Sequence, residues 1–382
     1  MAIYEKSPKK PPVLVVVQLS GGNDFMNTII PYTAGVYHEN RPTVGIPQDQ
    51  VLPINDTLAF HPSAAPLKEM FDDGNVAIIQ GIGYPNSSRS HFRAMDIWHT
   101  CEPVEVGTEG WLGKVTRELD PGQDNVLTTV NLGRGLPRAL AVPGIPITSV
   151  GDLENYGLMT GIDGQTQRDQ ALNIFKSMYT PAVGVGPVAE YLARTGLDVL
   201  KGADVLKTAP ASYQSTVEYA ANPIAQSLRD VARVHLADLG TRIFYTSHGG
   251  YDTHSNEVPT HPGLLRDLSG AIMDFFQDLK DHDAGDEVTM LVFTEFGRRI
   301  KDNASGTDHG SGGGAFIIGP RVKGGLYAEY PSLDQAQWEN GEDLKHTIDF
   351  RGIYATLVEQ WLQIDADNIV GGSFEQVHPF RN

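Results

Sequence analysis

Three apolar runs, each followed at once by a polar cluster, constrain the fold of this chain more than any other feature. The runs are VLVVVQL at 13–19, RIFYT at 242–246 and VTMLVF at 288–293, and the clusters are SGGND, SHGGYDTH and TEFGR. Unbroken apolar runs are typical of strands buried on both faces of a parallel sheet. In an open α/β sheet, ligands bind outside the carboxyl ends of such strands. The pattern therefore predicts that polar side chains far apart in the sequence meet at one edge of a sheet.

The order of the other segments predicts an α/β fold with crossover helices. VAIIQGIG at 76–83 has the pattern of a further buried strand, and a helix is predicted to begin near Ser90. We expect an extended segment at 1–12 and a single domain at 13–382, with a mainly helical insertion at about 165–240. The candidate ligands lie on both sides of the helical stretch, which favours an insertion over two independent domains.

Composition excludes several classes of protein. The formal charge of −18 over 382 residues argues against a nucleic-acid partner, because phosphate backbones require clustered Lys and Arg. A single cysteine, Cys101, allows neither an internal disulfide nor a thiolate zinc cluster. The sequence contains no run of the ~20 apolar residues that a membrane span requires. The first dozen residues lack the apolar stretch of a signal peptide, so we expect a cytoplasmic protein or one whose export signal is missing from this chain.

Carboxylates and imidazoles dominate the polar clusters, and these are the side chains that divalent cations bind in proteins. Asp252 and His254 are two residues apart, so in an extended segment both lie on one face. Glu295 emerges directly after an apolar run, and His309 lies in the Gly-rich loop GTDHGSGGG. The candidate metal ligands are Asp24, Asp252, His254, Glu295 and His309, with Asn23, His248 and Asp308 as supporting residues.

Each cluster also has an ordinary structural reading. Asp24 follows two glycines, where an Asx turn or a helix cap is a common use of Asp. The ordinary reading of Glu295 is a surface ion pair with Arg298, and such pairs contribute little to stability. The loop around His309 can be a flexible surface loop. Because several carboxylates and imidazoles stand at predicted strand ends, we favour a metal site over these alternatives.

The segment NSSRSH contains the candidate nucleophile. Ser90 stands at a predicted helix start, where free backbone N–H groups and the helix dipole favour an anion or an anionic transition state. Capping the helix is the ordinary alternative for such a Ser. Ser90 is preferred over Ser87 and Ser88 because His91 and the helix follow directly. His91, with Arg89 and Arg298, is a candidate for binding the oxygens of an anion.

The ordered motifs resemble the bacterial family called domain of unknown function 1501, which is grouped with the alkaline phosphatase and sulfatase superfamily. The motifs are LSGGNDFMNTIIPY, SRSHFRAMDIWHT, GGYDTHSNE, VFTEFGRR, GTDHGSGGGAFIIG, VKGGLYAEYPSL and DFRGIYATLVEQWL. The resemblance implies a three-layer α/β/α sandwich with a mainly parallel central sheet, like that of alkaline phosphatase. It also implies two metal positions and a nucleophile at a helix start. Family members often carry a twin-arginine export signal, which implies the periplasm if such a signal is missing here.

Residue by residue, the resemblance matches Asp24 to the Asp after the first strand and Ser90 to the nucleophile. Asp252 and His254, completed by His309, match one metal site, although the superfamily usually places that Asp and His further apart. Where the superfamily usually has an Asp-His pair, this chain has Glu295 and Phe296. Since Phe cannot bind a metal, the second site has lost an imidazole or takes one from elsewhere.

These observations predict a metal-dependent hydrolase of phosphate or sulfate esters. We expect a small anionic ester as substrate and one or two divalent ions, zinc first, with calcium, magnesium or manganese as alternatives. The Cys-x-Pro-x-Arg signature of formylglycine sulfatases is absent from this segment. Two further hypotheses remain open. One is a non-catalytic metal- or ligand-binding protein that retains the fold, and the other is a hydrolase of another bond that uses metal-bound water.

Overall fold

Strands and helices alternate along the chain. The structure, a computed structural model, describes residues 10–154, 165–179 and 213–381, with Gly186, Gly202, Leu206 and Ala209 between them. The strands are β1 (Val13–Ser20), β2 (Ile29–Ile30), β3 (Leu52–Pro53), β4 (Ala59–Phe60), β5 (Val76–Gly83), β6 (Thr129–Leu132), β7 (Thr148–Val150), β8 (Ile243–Gly249), β9 (Val288–Thr294), β10 (Arg298–Asp302), β11 (Thr307–His309), β12 (Gly313–Ile318), β13 (Gly325–Tyr327) and β14 (Ile348–Asp349).

The helices lie mostly between these strands. They are α1 (Phe25–Thr28), α2 (Gly35–Asn40), α3 (Ala65–Asp72), α4 (His91–Thr100), α5 (Trp111–Leu119), α6 (Gln165–Tyr179), α7 (Pro223–Leu236), α8 (Glu257–Asp281), α9 (Phe350–Thr356) and α10 (Asp367–Val370). Of the insertion predicted at about 165–240, the structure describes α6 and α7, and the helix predicted between them lies outside the described residues. No described helix has both the length and the apolar character needed to cross a membrane.

In the described part of the chain, nine strands form one large sheet. Its order is β13-β5-β12-β9-β1-β8-β6-β7, and β14 pairs with β5. Strand β1 pairs in parallel with β8 and with β9, and β6 continues in parallel from β8. Strand β12 runs antiparallel to both of its neighbours, β5 and β9. The prediction of a mainly parallel sheet is therefore confirmed.

Helices cover both faces of this sheet because its strands are apolar on both sides. Along β1, Val15 and Val17 contact the core that includes α3, α7 and α8, whereas Leu14 and Val16 contact the core that includes α4, α5 and α9. Successive side chains of a strand point to opposite faces, so an unbroken Val/Leu run requires a helix layer on each. The predicted three-layer α/β/α architecture is confirmed.

Trp98 fixes helix α4 to the sheet. Its ring is buried, with its centroid 4.5 Å from that of Phe350 and 5.5 Å from that of Phe293. Truncating a buried Trp leaves a cavity, so we expect Trp98→Ala to lower the free energy of unfolding by about 3–5 kcal/mol. Chemical denaturation followed by circular dichroism measures the change. The matched control is Phe92→Ala on the same helix, where the ring is exposed and the expected change is under about 0.5 kcal/mol. Equal effects of the two variants would contradict this packing.

Candidate metal centre

The carboxyl ends of three adjacent parallel strands bring the polar clusters together. In the register of the sheet, Leu19 of β1 lies opposite His248 of β8 on one side and Thr294 of β9 on the other. The turn after β1 passes very close to the loop after β8. A Cβ atom on Gly21 would lie 2.3 Å from the backbone nitrogen of Asp252, and the φ of Gly21 is +123°. Only glycine allows this approach, which sets the position of Asp252.

Asp252 lies at the middle of a group of imidazoles. Its Oδ1 atom is 3.0 Å from Nε2 of His309 and 3.1 Å from Nε2 of His254. Its Oδ2 atom is 3.4 Å from Nε2 of His91. The side chain of Asp252 is about half exposed, so the group opens to solvent. Three predicted residues, Asp252, His254 and His309, are therefore brought together, and His91 joins them.

The other ring nitrogen of each imidazole has a hydrogen-bond acceptor. Nδ1 of His254 is 2.9 Å from Oδ1 of Asp308, and Nδ1 of His309 is 2.7 Å from the carbonyl oxygen of Arg89. Nδ1 of His91 is 2.9 Å from Oε1 of Glu295. Carboxylates and carbonyls only accept hydrogen bonds, so each Nδ1 donates. A neutral imidazole with its proton on Nδ1 presents a lone pair at Nε2.

The two acceptor carboxylates are ionised. The hydrogen bond from His254 holds the pKa of Asp308 below its usual value. Burial acts to raise the pKa of Glu295, but hydrogen bonds from His91, Gly21 and Thr294 outweigh it and lower that pKa. The bond to Glu295 in turn raises the pKa of His91, and a more basic imidazole is a better metal ligand. Burial lowers the pKa of His309, which favours its neutral form.

The Nε2 atoms of the imidazoles and the carboxylate of Asp252 are arranged as a divalent cation requires. Nε2 of His254 and Nε2 of His309 are 2.8 Å apart, and each is within 3.1 Å of Oδ1 of Asp252. Ligands bound tetrahedrally to zinc are separated by about 3.3 Å, so these atoms lie close to the spacing of such a set. Nε2 of His91 is buried and has no hydrogen-bond partner among the described residues. The ligand atoms of His91, Asp252 and His309 all lie within 4.8 Å of one another.

Arg298 fixes the position of Asp252 from the interior of the protein. The guanidinium is fully buried and donates to the carbonyl oxygens of Gly22 and Tyr251, each at 2.7 Å. Further bonds go to the carbonyls of Gly21 and Thr307, and one of 2.9 Å goes to Oδ1 of Asp252. Burial acts to raise the pKa of Asp252, but hydrogen bonds from Arg298 and His309 lower it to about 2. Since its contacts are with the protein, Arg298 holds the turns around Asp252 together, and its predicted contact with a substrate stays a prediction.

The structure does not bring Asp24 into this group. Asp24 is fully buried and forms an ion pair with Arg41, whose guanidinium also donates to the carbonyls of Arg299 and Ile300. Burial acts to raise the pKa of Asp24, but Arg41 outweighs it and lowers that pKa to about 2. Burial and the charge of Asp24 raise the pKa of Glu257 to about 9. The charge of Asp24 is therefore neutralised by a guanidinium.

Glu295 has a different place from the one predicted. Its oxygens accept from the backbone of Gly21 at 2.8 Å, from the Thr294 hydroxyl at 3.0 Å and from His91. It therefore orients an imidazole, whereas the sequence placed it among the metal ligands. His91 was predicted to bind an anion, and the structure places its Nε2 among the candidate ligands. The ring centroids of His91 and Phe296 are 5.1 Å apart. An imidazole therefore lies beside the phenyl ring of the residue that follows Glu295.

The supporting residues divide into two groups. Asp308 was predicted as a supporting residue beside His309, and in the structure its carboxylate accepts a hydrogen bond from His254. His248 instead binds the hydroxyl of Tyr251 at 3.0 Å and lies outside the group of imidazoles. Asn23 is also outside it: its side chain contacts Thr28 and, at 3.0 Å, His261. The contacts of Asp308 with His254 and of Asn23 with His261 join segments far apart in the chain, so no local sequence signal predicts them.

Ser90 lies at the edge of the centre. It is the N-cap residue of α4, is exposed, and makes no side-chain capping bond. Its two neighbours in the chain both contact the centre, since the carbonyl of Arg89 accepts from His309 and His91 binds Glu295. The guanidinium of Arg89 is bound to Asp343, with its Nη2 atom 2.7 Å from Oδ2. The hydroxyl of Ser90 is thus not used as a cap, which was the ordinary reading of its position.

Solved structures of similar fold come from phosphatases and sulfatases. A protein of the alkaline phosphatase superfamily from Vibrio parahaemolyticus is 10% identical, with a TM-score of 0.43, and the match covers 98% of this chain and 72% of that one. The alkaline phosphatase of the Antarctic bacterium TAB5 is 12% identical, with a TM-score of 0.35 and coverage of 83% and 95%. A sulfatase from Pseudoalteromonas sp. is 11% identical, with a TM-score of 0.35 and coverage of 86% and 66%. Similarity at this level says nothing about the reaction.

Sequence comparison assigns the family. No curated protein matches the chain. The model of the family described as "Protein of unknown function (DUF1501)" matches residues 160–367, which is more than half of the chain and includes Asp252, His254, Glu295 and His309. The chain belongs to the DUF1501 family.

Proposed function

We propose that this protein is a metal-dependent hydrolase of phosphate or sulfate esters, with Ser90 as the nucleophile. One observation carries the proposal: three imidazoles, each with an acceptor at Nδ1, surround the carboxylate of Asp252. Lone pairs this close repel one another unless a proton or a cation lies between them. A divalent cation satisfies all of them together.

The residues that would hold the ion are Asp252, His254, His309 and His91. A set of imidazole nitrogens with one carboxylate suits zinc best among the common divalent ions. When bound, such an ion polarises the ester and lowers the pKa of a neighbouring hydroxyl. We propose a single ion, because Asp24 is neutralised by Arg41 and Glu295 is occupied by His91 and backbone groups.

The chain's own groups around the ion have separate roles. The hydroxyl oxygen of Ser90 bonds to phosphorus or sulfur as the bond to the ester's alcohol oxygen breaks, and the alcohol leaves with the proton that the hydroxyl loses. Water then cleaves the ester formed on Ser90, which releases phosphate or sulfate and restores the hydroxyl. The first turn of the ten-residue helix α4 places backbone N–H groups and the positive end of the helix dipole beside it. Glu295 and Asp308 keep protons on Nδ1 of His91 and His254, so that both Nε2 atoms face Asp252.

A hydrolase of another bond, with water as the nucleophile, is the second candidate. The observation that favours it is that the predicted anion clamps are engaged elsewhere: Arg89 by Asp343, and Arg298 by carbonyl groups and Asp252. An anionic ester would therefore depend on the ion and the helix amides for its binding. A neutral substrate would not require a free arginine.

The wild-type protein tests the proposal directly. We expect elemental analysis to find about one tightly held ion per chain, and we expect turnover of an aryl phosphate or an aryl sulfate. Removal of the ion by a chelator should abolish turnover, and re-addition of zinc should restore it. Protein that holds the ion but hydrolyses neither ester would support a binding protein instead. Protein that takes up no divalent ion would contradict the centre itself.

A further inference from the structure

A polar patch ends the apolar face of the sheet that α4 and α5 cover. Along β1, Val16 lies in the core on that face, so the alternation of a strand places Gln18 and Ser20 there as well. In β8, Tyr245 lies in the same core, and Ser247 follows two residues later. Gln18 and Ser247 are direct partners in the register of the two strands. The face therefore becomes polar and uncharged where these strands end.

The helix layer leaves an opening above this patch. Ser247 is exposed, although β8 lies inside the sheet between β1 and β6. Gly249, the next residue of β8 on that face, lies opposite Ser20, and a Cβ atom added to it would meet no described residue within 4 Å beyond its chain neighbours. Strands inside a parallel sheet are normally covered on both faces. We call the space above Gln18, Ser20, Ser247 and Gly249 the polar recess.

The polar recess is continuous with the candidate metal centre. The carbonyl of Ser20 accepts at 3.1 Å from the backbone of Tyr251, the residue before Asp252. Gly21, the residue after Ser20, lies against the backbone nitrogen of Asp252 and donates to Glu295 at 2.8 Å. These contacts place Ser20 beside the loop that carries the carboxylate of the centre, and beside the carboxylate that orients one of its imidazoles.

Helix α4 borders the polar recess and leads from it to the centre. At the start of α4, His91 contacts Glu295, and near its end Nε2 of His99 is 2.9 Å from Oε1 of Gln18. The two histidines are eight residues apart, so they lie on the same broad face of the helix and about 12 Å apart along its axis. A ligand held at the centre can therefore extend along α4 into the polar recess.

The amide of Gln18 is held in a fixed orientation at the floor of the polar recess. Its oxygen accepts from the hydroxyl of Tyr245 and lies beside Nε2 of His99. Both partners are buried, and burial lowers the pKa of His99 to about 4, so its ring is neutral. Nε2 of Gln18 donates to the hydroxyl oxygen of Ser20 at 2.7 Å. Because that hydroxyl accepts this bond, its own proton is left to donate to a ligand.

We propose that the polar recess binds the alcohol part of the ester, and that this alcohol carries several hydroxyl groups. The hydroxyls of Ser20 and Ser247 both donate and accept hydrogen bonds, as the hydroxyls of a polyol do. The side chains of the recess carry no charge, so they do not repel the acid group at the centre. An apolar alcohol would cover these polar groups without pairing them, which costs affinity. The inference rests on the proposed function for the acid group, and on the polar recess for the alcohol.

Two ligands of equal length that cannot be hydrolysed test the polar recess: hexylphosphonate and a pentahydroxyhexylphosphonate. Calorimetry with the zinc-loaded protein measures the affinity for each. We expect the wild type to bind the pentahydroxy ligand about 10-fold more tightly, because the recess supplies hydrogen bonds that only this ligand can complete. The double variant Ser20→Ala/Ser247→Ala is expected to reduce the preference to about 2-fold, through weaker binding of the pentahydroxy ligand.

A second variant fills the polar recess without removing a polar group. Gly249 has no positive φ and an added Cβ meets open space, so Gly249→Phe should fold and keep its ion. We expect it to weaken binding of the pentahydroxy ligand by at least about 10-fold. The matched control is Gly263→Phe on α8, where an added Cβ also meets no described residue within 4 Å. This control should keep the full preference.

Equal binding of the two phosphonates by the wild type would overturn the inference, as would tighter binding of hexylphosphonate or no measurable binding of either. A preference that survives both the double variant and Gly249→Phe would overturn it too. Turnover of aryl phosphate and aryl sulfate separates the two proposals. A wild type that prefers the pentahydroxy ligand yet hydrolyses neither ester retains the recess and loses the proposed reaction. Turnover without the preference retains the reaction and loses the recess.

Discussion

Replacing Ser90 by alanine is expected to lower the turnover of an aryl phosphate or aryl sulfate by at least about 10³-fold. The substitution removes the hydroxyl that would form the covalent intermediate. The side chain is exposed and makes no capping bond, so the fold and the metal content should be unchanged. Steady-state kinetics of the zinc-loaded protein, with elemental analysis of the same sample, measures both quantities.

The control for this variant is Ser87→Ala in the same segment, for which we expect turnover within about 2-fold of the wild type. Ser90→Ala protein that holds its ion and keeps full turnover would remove the nucleophile from the proposal. That result would favour the second candidate, in which water attacks the substrate. A loss of both ion and turnover would instead show that Ser90 supports the centre.

Asp252→Asn is expected to lower the affinity for zinc by at least about 10²-fold. The carboxylate is the one negative charge among the candidate ligand atoms, and three Nε2 atoms lie within 3.4 Å of its oxygens. An amide carries no charge, and its NH₂ group is a hydrogen-bond donor that cannot bind a cation. Competition with a chromophoric chelator measures the affinity.

Asp24→Asn is the matched comparison, because the resemblance placed Asp24 among the ligands and the structure does not. Its ion pair with Arg41 is fully buried, so this variant is expected to lower the free energy of unfolding by about 3 kcal/mol. The folded protein should still bind one ion with nearly wild-type affinity. If Asp24→Asn loses the ion as Asp252→Asn does, the single centre proposed here is wrong.

Much of the fold follows from local patterns. The run VLVVVQL became the central strand β1, and VAIIQGIG became β5, because apolar runs without polar interruption can be buried on both faces. Helix α4 begins directly after Ser90, as its sequence predicted. Such patterns did not predict the order in which the strands pair, because β12 lies between β5 and β9 and runs antiparallel to both.

The candidate centre was predictable only in part. Asp252, His254 and His309 were expected together and lie together. Asp308 was expected to support His309, but its hydrogen bond is to His254. The sequence did not predict that Glu295 would orient an imidazole, nor that Nε2 of His91 would lie among the candidate metal ligands. These two residues are 204 positions apart, and their hydrogen bond exists only because β5 and β9 lie in one sheet.

The sequence by itself determined where the strands end, and with them the edge at which acidic and imidazole side chains gather. It did so because strand periodicity and burial depend on neighbouring residues. Only the tertiary structure decided which carboxylates are open to a cation. Arg41 neutralises Asp24 in the interior, whereas Asp252, held by Arg298, remains half exposed among the imidazoles. A charge selects its partner by distance and burial in the folded chain, and sequence patterns specify neither.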